Sequence, residues 1–214
     1  MDRRKFIKNS LLAGAIVATS AIMGNSVFSD NKNTGSKSMK ILVITGSPRK
    51  NGNSNFLVDN FIKGAQEKGH KIFRFDSAFK KVHPCIACNK CGMNGDCVFN
   101  DDFNYVRENI VDADMVVFAT PMYYFGISAQ IKAVIDRFYA INGKIHVPKK
   151  VALIMTYADT AVKEAQPIKS HYETLINYLG WTSVGEIIAS GVWTEGSVKN
   201  TKYPQMAYEL GKSL

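Results

Sequence analysis

The sequence lacks the features that mark several common classes of protein. Its longest largely apolar run, residues 11–24, has 14 residues, whereas a helix that crosses a bilayer needs about 20, so we expect no stable membrane span. Six prolines and 16 glycines are too few for a fibrous or disordered chain. The net charge is +9, but the basic residues form no stripe interleaved with aromatics, so nucleic acid is not an expected partner. The composition therefore predicts an ordinary globular protein.

The first 29 residues have the pattern of an export signal. Arg3 and Arg4 lie in a basic head, DRRKFIK, that precedes the apolar run. This arrangement resembles a twin-arginine (Tat) signal peptide and predicts a periplasmic or other extracytoplasmic location. A polar linker is expected at 30–38 and a single domain at 39–214. One alternative stays open: Met39 is the true first residue, and the protein is cytoplasmic.

Five short apolar runs rich in β-branched residues alternate with segments of helical periodicity. The runs are predicted as strands at 40–45, 71–75, 115–120, 151–156 and within 182–190. Ser128 is expected to cap the helix after the third strand, and a last helix is expected from Tyr203. Strands that alternate with helices form βαβ units. We therefore predict an α/β, flavodoxin-like three-layer sandwich with a five-stranded parallel sheet in the order 2-1-3-4-5.

A loop of small, polar and basic residues follows the first predicted strand. Residues 46–54, here called the phosphate loop, read GSPRKNGNS. The N–H groups of a first helical turn can bind an anion. The hydroxyls of Ser47 and Ser54 can donate further hydrogen bonds to it, and Arg49 adds positive charge. The Walker A and G-x-G-x-x-G patterns are missing, which favours a monophosphate. The alternative is an ordinary connection with a helix cap.

An aromatic loop follows the third predicted strand. Residues 121–128, here called the aromatic loop, read PMYYFGIS. Tyr123, Tyr124 and Phe125 suit contact with a flat ring system, and Gly126 is expected to let the chain turn close to it. The alternative is that these aromatics pack in the core or form a lid. Because the two loops follow neighbouring strands of the predicted sheet, they predict a single flavin mononucleotide (FMN) site at the switch point.

These two motifs also carry a resemblance. GSPRKNGNS followed by TPMYYFGISAQIKAVIDRFY resembles the NADPH-dependent FMN reductase branch of the flavodoxin-like superfamily, over nearly all of residues 39–195. The resemblance implies phosphate contacts from Ser47, Arg49, Asn53, Ser54 and Asn55, and isoalloxazine contacts from Pro121, Met122, Tyr123, Tyr124, Phe125 and Gly126. A third contact loop is usual in the family. Here it reads TYAD at 156–159, without the glycine often found there.

All four cysteines fall within thirteen residues. Cys85, Cys88, Cys91 and Cys97 form a C-x2-C-x2-C-x5-C run, inside an insertion at 83–100 that we call the cysteine segment. Four thiolates at this spacing can wrap one compact metal centre. The run resembles that of the iron-sulfur flavoproteins, which implies a 4Fe-4S cluster. Zinc and, in an oxidising compartment, disulfides are the alternatives.

Three functional hypotheses follow. The first is an FMN-dependent oxidoreductase that reduces a quinone, a flavin or another small acceptor, with or without a cluster. The second is an electron carrier between redox partner proteins, and the third is a domain with an empty site. NAD(P)H as the donor fits a cytoplasmic protein better than an exported one. A homo-oligomer is expected, with Lys132, Asp136 and Arg137 in surface or subunit-interface ion pairs.

Overall fold

Strands and helices alternate along residues 37–214, the part of the chain that the computed structural model describes. The strands are β1 (Lys40–Thr45), β2 (Lys71–Asp76), β3 (Met115–Tyr123), β4 (Gly126–Ile127), β5 (Lys150–Thr156) and β6 (Thr182–Ala189). The α-helices are α1 (Asn53–Glu67), α2 (Phe103–Val111), α3 (Ala129–Asp136), α4 (Asn142–Ile145), α5 (Gln166–Leu179) and α6 (Tyr203–Lys212). The predicted signal peptide and most of the predicted linker lie outside the described residues. None of the helices in 37–214 has the length and apolar character of a membrane span.

The main sheet confirms the predicted fold. Its order is β2-β1-β3-β5-β6, and every neighbouring pair in this order is parallel. With the two-residue β4 set aside, this is the predicted 2-1-3-4-5 order. β4 pairs antiparallel with the end of β3. The aromatic loop is therefore partly strand: β3 continues beyond the predicted residue 120 to Tyr123 and folds back as a hairpin.

The two faces of the sheet are covered by different helices, as the period of two along a strand requires. In β1, Leu42 and Ile44 join one apolar cluster, which receives residues of α2, α3 and α5. Ile41 and Val43 join the opposite cluster, with residues of α1 and α6. All four side chains are fully buried. This burial on both faces explains why the strands have nearly continuous apolar sequences.

Parallel pairing brings the carboxyl ends of β1, β3, β5 and β6 to one edge of the sheet. The phosphate loop leaves β1 at this edge, and the hairpin extends β3 beyond it. The loops after β5 and β6 begin at the same edge, at Tyr157 and Ser190. Ligands in open parallel sheets bind at such an edge, at the point where the strand order reverses.

Candidate cofactor and cysteine sites

The phosphate loop leads into a helix whose first turn has no side-chain cap. Gly52 is the N-cap residue of α1, and it makes no capping hydrogen bond because it has no side chain. The hydroxyl of Ser54, in the first turn, is buried and has no hydrogen-bond partner among residues 37–214. Unpaired N–H groups and a free hydroxyl at a helix N-terminus form a binding site for an anion.

The rest of the phosphate loop is held in shape by its own side chains. The hydroxyl of Ser47 accepts a hydrogen bond from the N–H of Arg49 at 3.2 Å. The amide of Asn55 donates to the carbonyls of Arg49, at 2.9 Å, and Lys50, at 3.3 Å. A Cβ atom at Gly52 would lie 2.7 Å from the Ser47 hydroxyl, so the loop closes tightly only with glycine here. Asn55 thus stabilises the loop through its side-chain N–H groups, while its side-chain oxygen is buried without a partner.

Asn53 acts on a distant part of the chain that the sequence pattern does not reveal. Its side-chain amide donates to the carbonyls of Val192, at 3.2 Å, and Thr194, at 2.9 Å. Its side-chain oxygen accepts from the N–H of Val198 at 3.4 Å. The Asn53 side chain therefore ties the start of α1 to the loop after β6. What Asn53 has left to offer a phosphate is its backbone N–H.

The aromatic loop forms a tight hairpin turn. Tyr123 pairs with Gly126 across the turn, and the two residues between them, Tyr124 and Phe125, have φ of 45° and 61°. Both values fall in the left-handed region, as in the two-residue turns typical of hairpins. Gly126 itself does not have a positive φ. The left-handed conformation of the turn therefore belongs to the two aromatic residues before Gly126, and the expected close approach of Gly126 to a flat ring system stays a prediction.

The two loops are joined directly. The hydroxyl of Ser128 donates to the carbonyl of Gly46 at 2.8 Å. The backbone N–H of Ser128 donates to the hydroxyl of Thr120 at 3.0 Å. The predicted position of Ser128 at the N-cap of α3 is confirmed, but its side chain makes no capping hydrogen bond to the helix. Gly46 also donates its N–H to the carbonyl of Ala119 at 2.8 Å. The predicted proximity of the two loops is thus confirmed through buried hydrogen bonds.

A cavity of about 290 Å³ lies between these loops, and we call it the cofactor cavity. Of the predicted contact residues, it is lined by Ser47, Arg49, Asn53, Ser54, Pro121, Met122, Tyr123 and Tyr124. Asn55, Phe125 and Gly126 are not among its lining residues. Arg49 is the one ionised side chain among the described residues that line it, so the local charge favours an anion.

Two further segments complete the wall of the cofactor cavity. Thr156, Tyr157 and Ala158 follow β5, so the third contact loop lines the cavity although it lacks the family's usual glycine. Val192 and Trp193 follow β6, and sequence analysis missed them. Trp193 is 77% exposed at the cavity. The signal that points to it is topological, because β6 ends at the same edge of the sheet as β1, β3 and β5.

The cysteine segment gathers its four thiols around a second, small cavity. Cys85, Cys88, Cys91 and Cys97 all line a space of about 20 Å³, and all four are free thiols. In residues 37–214 no set of three or more His, Cys, Asp or Glu side chains stands ready to hold a metal ion. The four residues that could ligate a compact metal centre therefore line one cavity.

A buried charge lies beneath the cysteine segment. Arg137, expected on the surface, is 1% exposed. It donates to the Asp101 carboxylate at 2.9 Å and lies against the rings of Phe99 and Phe103, 5.3 and 4.8 Å from their centroids. Burial alone would raise the pKa of Asp101, but hydrogen bonds from Arg137 and from the N–H groups of His83 and Phe103 hold that pKa below its usual range. Of the three predicted surface residues, Lys132 and Asp136 do form a surface pair.

The cysteine segment also contains unusual backbone. Among the described residues, five non-glycine residues have positive φ: Ala87, Asn89, Met93, Tyr124 and Phe125. Three belong to the cysteine segment, and two are at the tip of the aromatic hairpin. Such conformations cost about 1–3 kcal/mol each and concentrate at functional sites. The unusual backbone thus falls in two of the three segments that the sequence motifs single out, the aromatic loop and the cysteine segment.

Comparison with known proteins gives consistent relatives. The family model described as NADPH-dependent FMN reductase matches residues 39–195. An iron-sulfur flavoprotein of Archaeoglobus fulgidus is 29% identical over 155 residues, which are 72% of this chain and 70% of the relative. An iron-sulfur flavoprotein of Methanocaldococcus jannaschii is 36% identical over 46% of this chain and about half (51%) of its own length. Among solved structures, an NAD(P)H:quinone oxidoreductase from Methanothermobacter marburgensis superimposes with a TM-score of 0.67 at 17% identity, covering 82% of this chain and 96% of that one. This last likeness concerns the fold.

Proposed function

Because the chain belongs to the NADPH-dependent FMN reductase family, whose members are FMN-dependent oxidoreductases, we propose that it binds FMN in the cofactor cavity and reduces a quinone, a flavin or another small acceptor. The observation that carries the proposal is the buried, unpartnered hydroxyl of Ser54 at the uncapped start of α1. A buried polar group without a partner is costly. A bound phosphate would give that hydroxyl, and the N–H groups beside it, their acceptor.

At the phosphate end, the chain contributes donors and charge. The N–H groups of the first turn of α1 and the hydroxyl of Ser54 bind the phosphate oxygens, and Arg49 balances their charge. Ser47 and Asn55 hold the loop in the required conformation through the hydrogen bonds described above. Asn53 fixes the position of the opposite wall. The phosphate is thereby a fixed anchor for the rest of the cofactor.

At the end of the cofactor cavity that would hold the isoalloxazine ring, the chain contributes the side chains that line the cavity. Pro121, Met122 and Tyr123 lie on one side of the cavity, and Tyr157 and Trp193 belong to the segments that complete it. No Asp, Glu, Lys or His is among its described lining residues, so the contribution of the chain there is to position the ring. FMN, when bound, supplies the hydride and electron chemistry.

We further propose that the four cysteines hold a 4Fe-4S cluster. The support is the donor set: Cys85, Cys88, Cys91 and Cys97 line one cavity as free thiols. Four thiolates are the usual ligands of such a cluster. Two relatives are named iron-sulfur flavoproteins, which supports the same assignment. The competing proposal is a cluster-free NAD(P)H-dependent reductase.

We propose that the protein is exported through the Tat pathway and acts outside the cytoplasm. The support is the pair Arg3 and Arg4 ahead of a short apolar run. An exported protein would draw electrons from a quinol or a redox protein rather than from NAD(P)H. Replacing both arginines by lysine in the full chain should retain the protein in the cytoplasm of its host. Equal export of the altered and unaltered chains would contradict the Tat route, and retention of both chains in the cytoplasm would favour Met39 as the start.

We also propose that the protein is a homo-oligomer. The support is a group of exposed aromatic side chains beside the cofactor cavity: Tyr124 is fully exposed, Phe125 is 54% exposed and Trp193 is 77% exposed. Large exposed apolar groups near one another mark interaction surfaces. Light scattering coupled to gel filtration measures the mass. A monomer at all concentrations tested would contradict the proposal.

An anaerobic purification of the full chain tests the redox assignment. The visible spectrum, flavin extraction, and iron and acid-labile sulfide counts give the cofactor content. Flavin with iron and sulfide supports both proposals, flavin alone supports the cluster-free reductase, and a colourless protein that refuses added FMN contradicts the function. Rates of flavin bleaching by NADPH, and of reoxidation by a quinone, then identify donor and acceptor.

A further inference from the structure

A single buried side chain, that of Arg137, joins the two ends of the cysteine segment. We call the place where these ends meet, at His83 and Phe99, the neck. Arg137 donates hydrogen bonds to the carbonyl of His83 at 2.9 Å and to the carbonyl of Phe99 at 3.3 Å. These carbonyls lie two residues before Cys85 and two residues after Cys97. One guanidinium thus binds both ends of the segment that carries the four thiols.

The neck is reinforced by acidic side chains. The Asp101 carboxylate accepts from Arg137 and also from the N–H of His83 at 3.0 Å. Just outside the neck, Lys81 and Asp102 form two hydrogen bonds. The Lys81 N–H donates to the Asp102 carboxylate at 2.7 Å, and the Asp102 N–H donates to the Lys81 carbonyl at 3.0 Å. The side chains of Arg137 and Asp101 are 1% and 6% exposed. Water therefore has little access to the ion pair between Arg137 and Asp101.

Arg137 also belongs to the wall of the cysteine cavity. It lines the same space as the four cysteines. Its Nε atom is buried and has no hydrogen-bond partner in the described part of the chain, although the other nitrogens of the guanidinium are engaged. The region after α3 supports the segment at a second point, because the hydroxyl of Tyr139 donates to the side-chain oxygen of Asn89 at 2.9 Å.

We propose that Arg137 is the positioning residue of the cysteine site: it closes the segment before any metal arrives and so sets the affinity of the four thiolates for a metal centre. The proposal rests on the proposed cluster function. Closing a loop costs conformational entropy, and a loop already closed does not pay that cost when it binds metal. Loss of groups that orient metal ligands typically lowers metal affinity about 10- to 100-fold.

The test compares two arginines of the same region. Arg137→Met removes the clamp and keeps an unbranched apolar side chain in the core. Arg107→Met is the matched control, because Arg107 forms an ion pair with Asp96, beside Cys97, but is 26% exposed and lies outside the neck. Both variants lose one positive charge near the thiols. A role that depends merely on charge would make them equivalent.

Three measurements are made on the full, anaerobically purified chain. Titration of the metal-free protein with Co²⁺, followed by thiolate-to-cobalt absorption, gives an affinity. The reaction rate with Ellman's reagent gives the accessibility of the thiols, and bound FMN reports on the integrity of the rest of the domain. For Arg137→Met we expect Co²⁺ affinity about 10- to 100-fold lower, faster thiol reaction and unchanged FMN. Arg107→Met should stay within about twofold of the wild type in all three.

The outcomes separate this proposal from the proposed cluster. Equal Co²⁺ affinity and equal thiol rates in Arg137→Met and the wild type would overturn the positioning role. If the wild type takes up neither iron with sulfide nor Co²⁺, the cluster assignment fails, and the thiol rates still decide whether Arg137 closes the segment. If Arg137→Met does not fold, Asp101→Asn provides the test, because it keeps size and shape while weakening the same neck. It should lower Co²⁺ affinity in the same direction, and wild-type behaviour would overturn the role.

Discussion

Replacing Ser54 by alanine should change stability and FMN affinity in opposite directions. The Ser54 hydroxyl is buried and finds no partner among the described side chains and backbone groups. Such a group costs about 1–3 kcal/mol, and alanine also has a slightly higher helix propensity than serine. Ser54→Ala should therefore raise the stability of the flavin-free protein by about 1 kcal/mol, equivalent to a rise of about 2–4 °C in Tm for a domain of this size.

The same substitution should weaken FMN binding. The phosphate would lose one hydrogen bond from a neutral donor to a charged acceptor, and such bonds contribute about 1.5–3 kcal/mol. Because each 1.4 kcal/mol is about a factor of ten, the Kd for FMN should rise about 10- to 100-fold. Differential scanning calorimetry of the flavin-free protein gives the Tm. Quenching of flavin fluorescence during titration with FMN gives the Kd.

Ser47→Ala is the matched control. The Ser47 hydroxyl is already engaged with the Arg49 backbone at 3.2 Å, so its loss should lower the stability of the flavin-free protein by about 0.5–1.5 kcal/mol. The two serines of one loop should thus shift Tm in opposite directions. A lower Tm for Ser54→Ala, together with a Kd for FMN within twofold of the wild type, would refute the assignment of Ser54 to the phosphate.

Substitutions at three further positions test other parts of the structure. Asn53→Ala breaks the hydrogen bonds to the loop after β6, and it should lower the free energy of unfolding, measured with urea, by about 2–4 kcal/mol. Asn53→Asp loses the donors but keeps the size, and it should be at least as destabilising. A loss under about 0.5 kcal/mol for Asn53→Ala would contradict the role of Asn53 in holding this loop. Gly126→Ala places a Cβ no closer than 3.7 Å to its neighbours, so it should lower the free energy of unfolding by less than about 0.5 kcal/mol. The Tm of the flavin-free variant should therefore stay within about 2 °C of the wild type. A larger fall would show that the hairpin itself needs glycine. Burial raises the pKa of Tyr172 to about 12, above its value near 10 in the unfolded chain, so its contribution to stability is complete below pH 10 and is lost as the pH rises towards 12. The wild type should therefore lose about 2 kcal/mol relative to Tyr172→Phe over that range, and a difference that does not vary with pH would contradict the shift.

The strands and their order were predictable because the signal for them is local. A parallel strand covered on both faces has a continuous apolar sequence, as KILVIT at 40–45 and MVVFAT at 115–120 do. The rules for βαβ units then restrict the order of such strands to few possibilities. The proximity of the phosphate and aromatic loops follows from that order alone. The hydrogen bond from the Ser128 hydroxyl to the Gly46 carbonyl joins these two loops directly.

The roles of individual side chains were less predictable, because their partners are distant in sequence. Asn53 looks like a phosphate ligand in the motif, but its amide binds the carbonyl of Val192, 139 residues away. Arg137 looks like a surface residue by type, but its partners His83 and Phe99 belong to an insertion that precedes it by 54 and 38 residues. Trp193 belongs to no motif. Its place at the cofactor cavity depends on where β6 ends.

Helix α3 connects the two sites. Residues of the aromatic loop lead into its first turn, and Arg137 follows its last residue, Asp136. At about 1.5 Å per residue, its eight residues span about 12 Å. The strained backbone lies in the hairpin before α3 and in the cysteine segment held by Arg137. Strained conformations persist only where the surroundings impose them, and α3 joins the hairpin at its start to Arg137 at its end. A shift of α3 would therefore move the flavin wall and the neck of the cysteine segment together, which makes this helix the structural link between the two proposed redox centres.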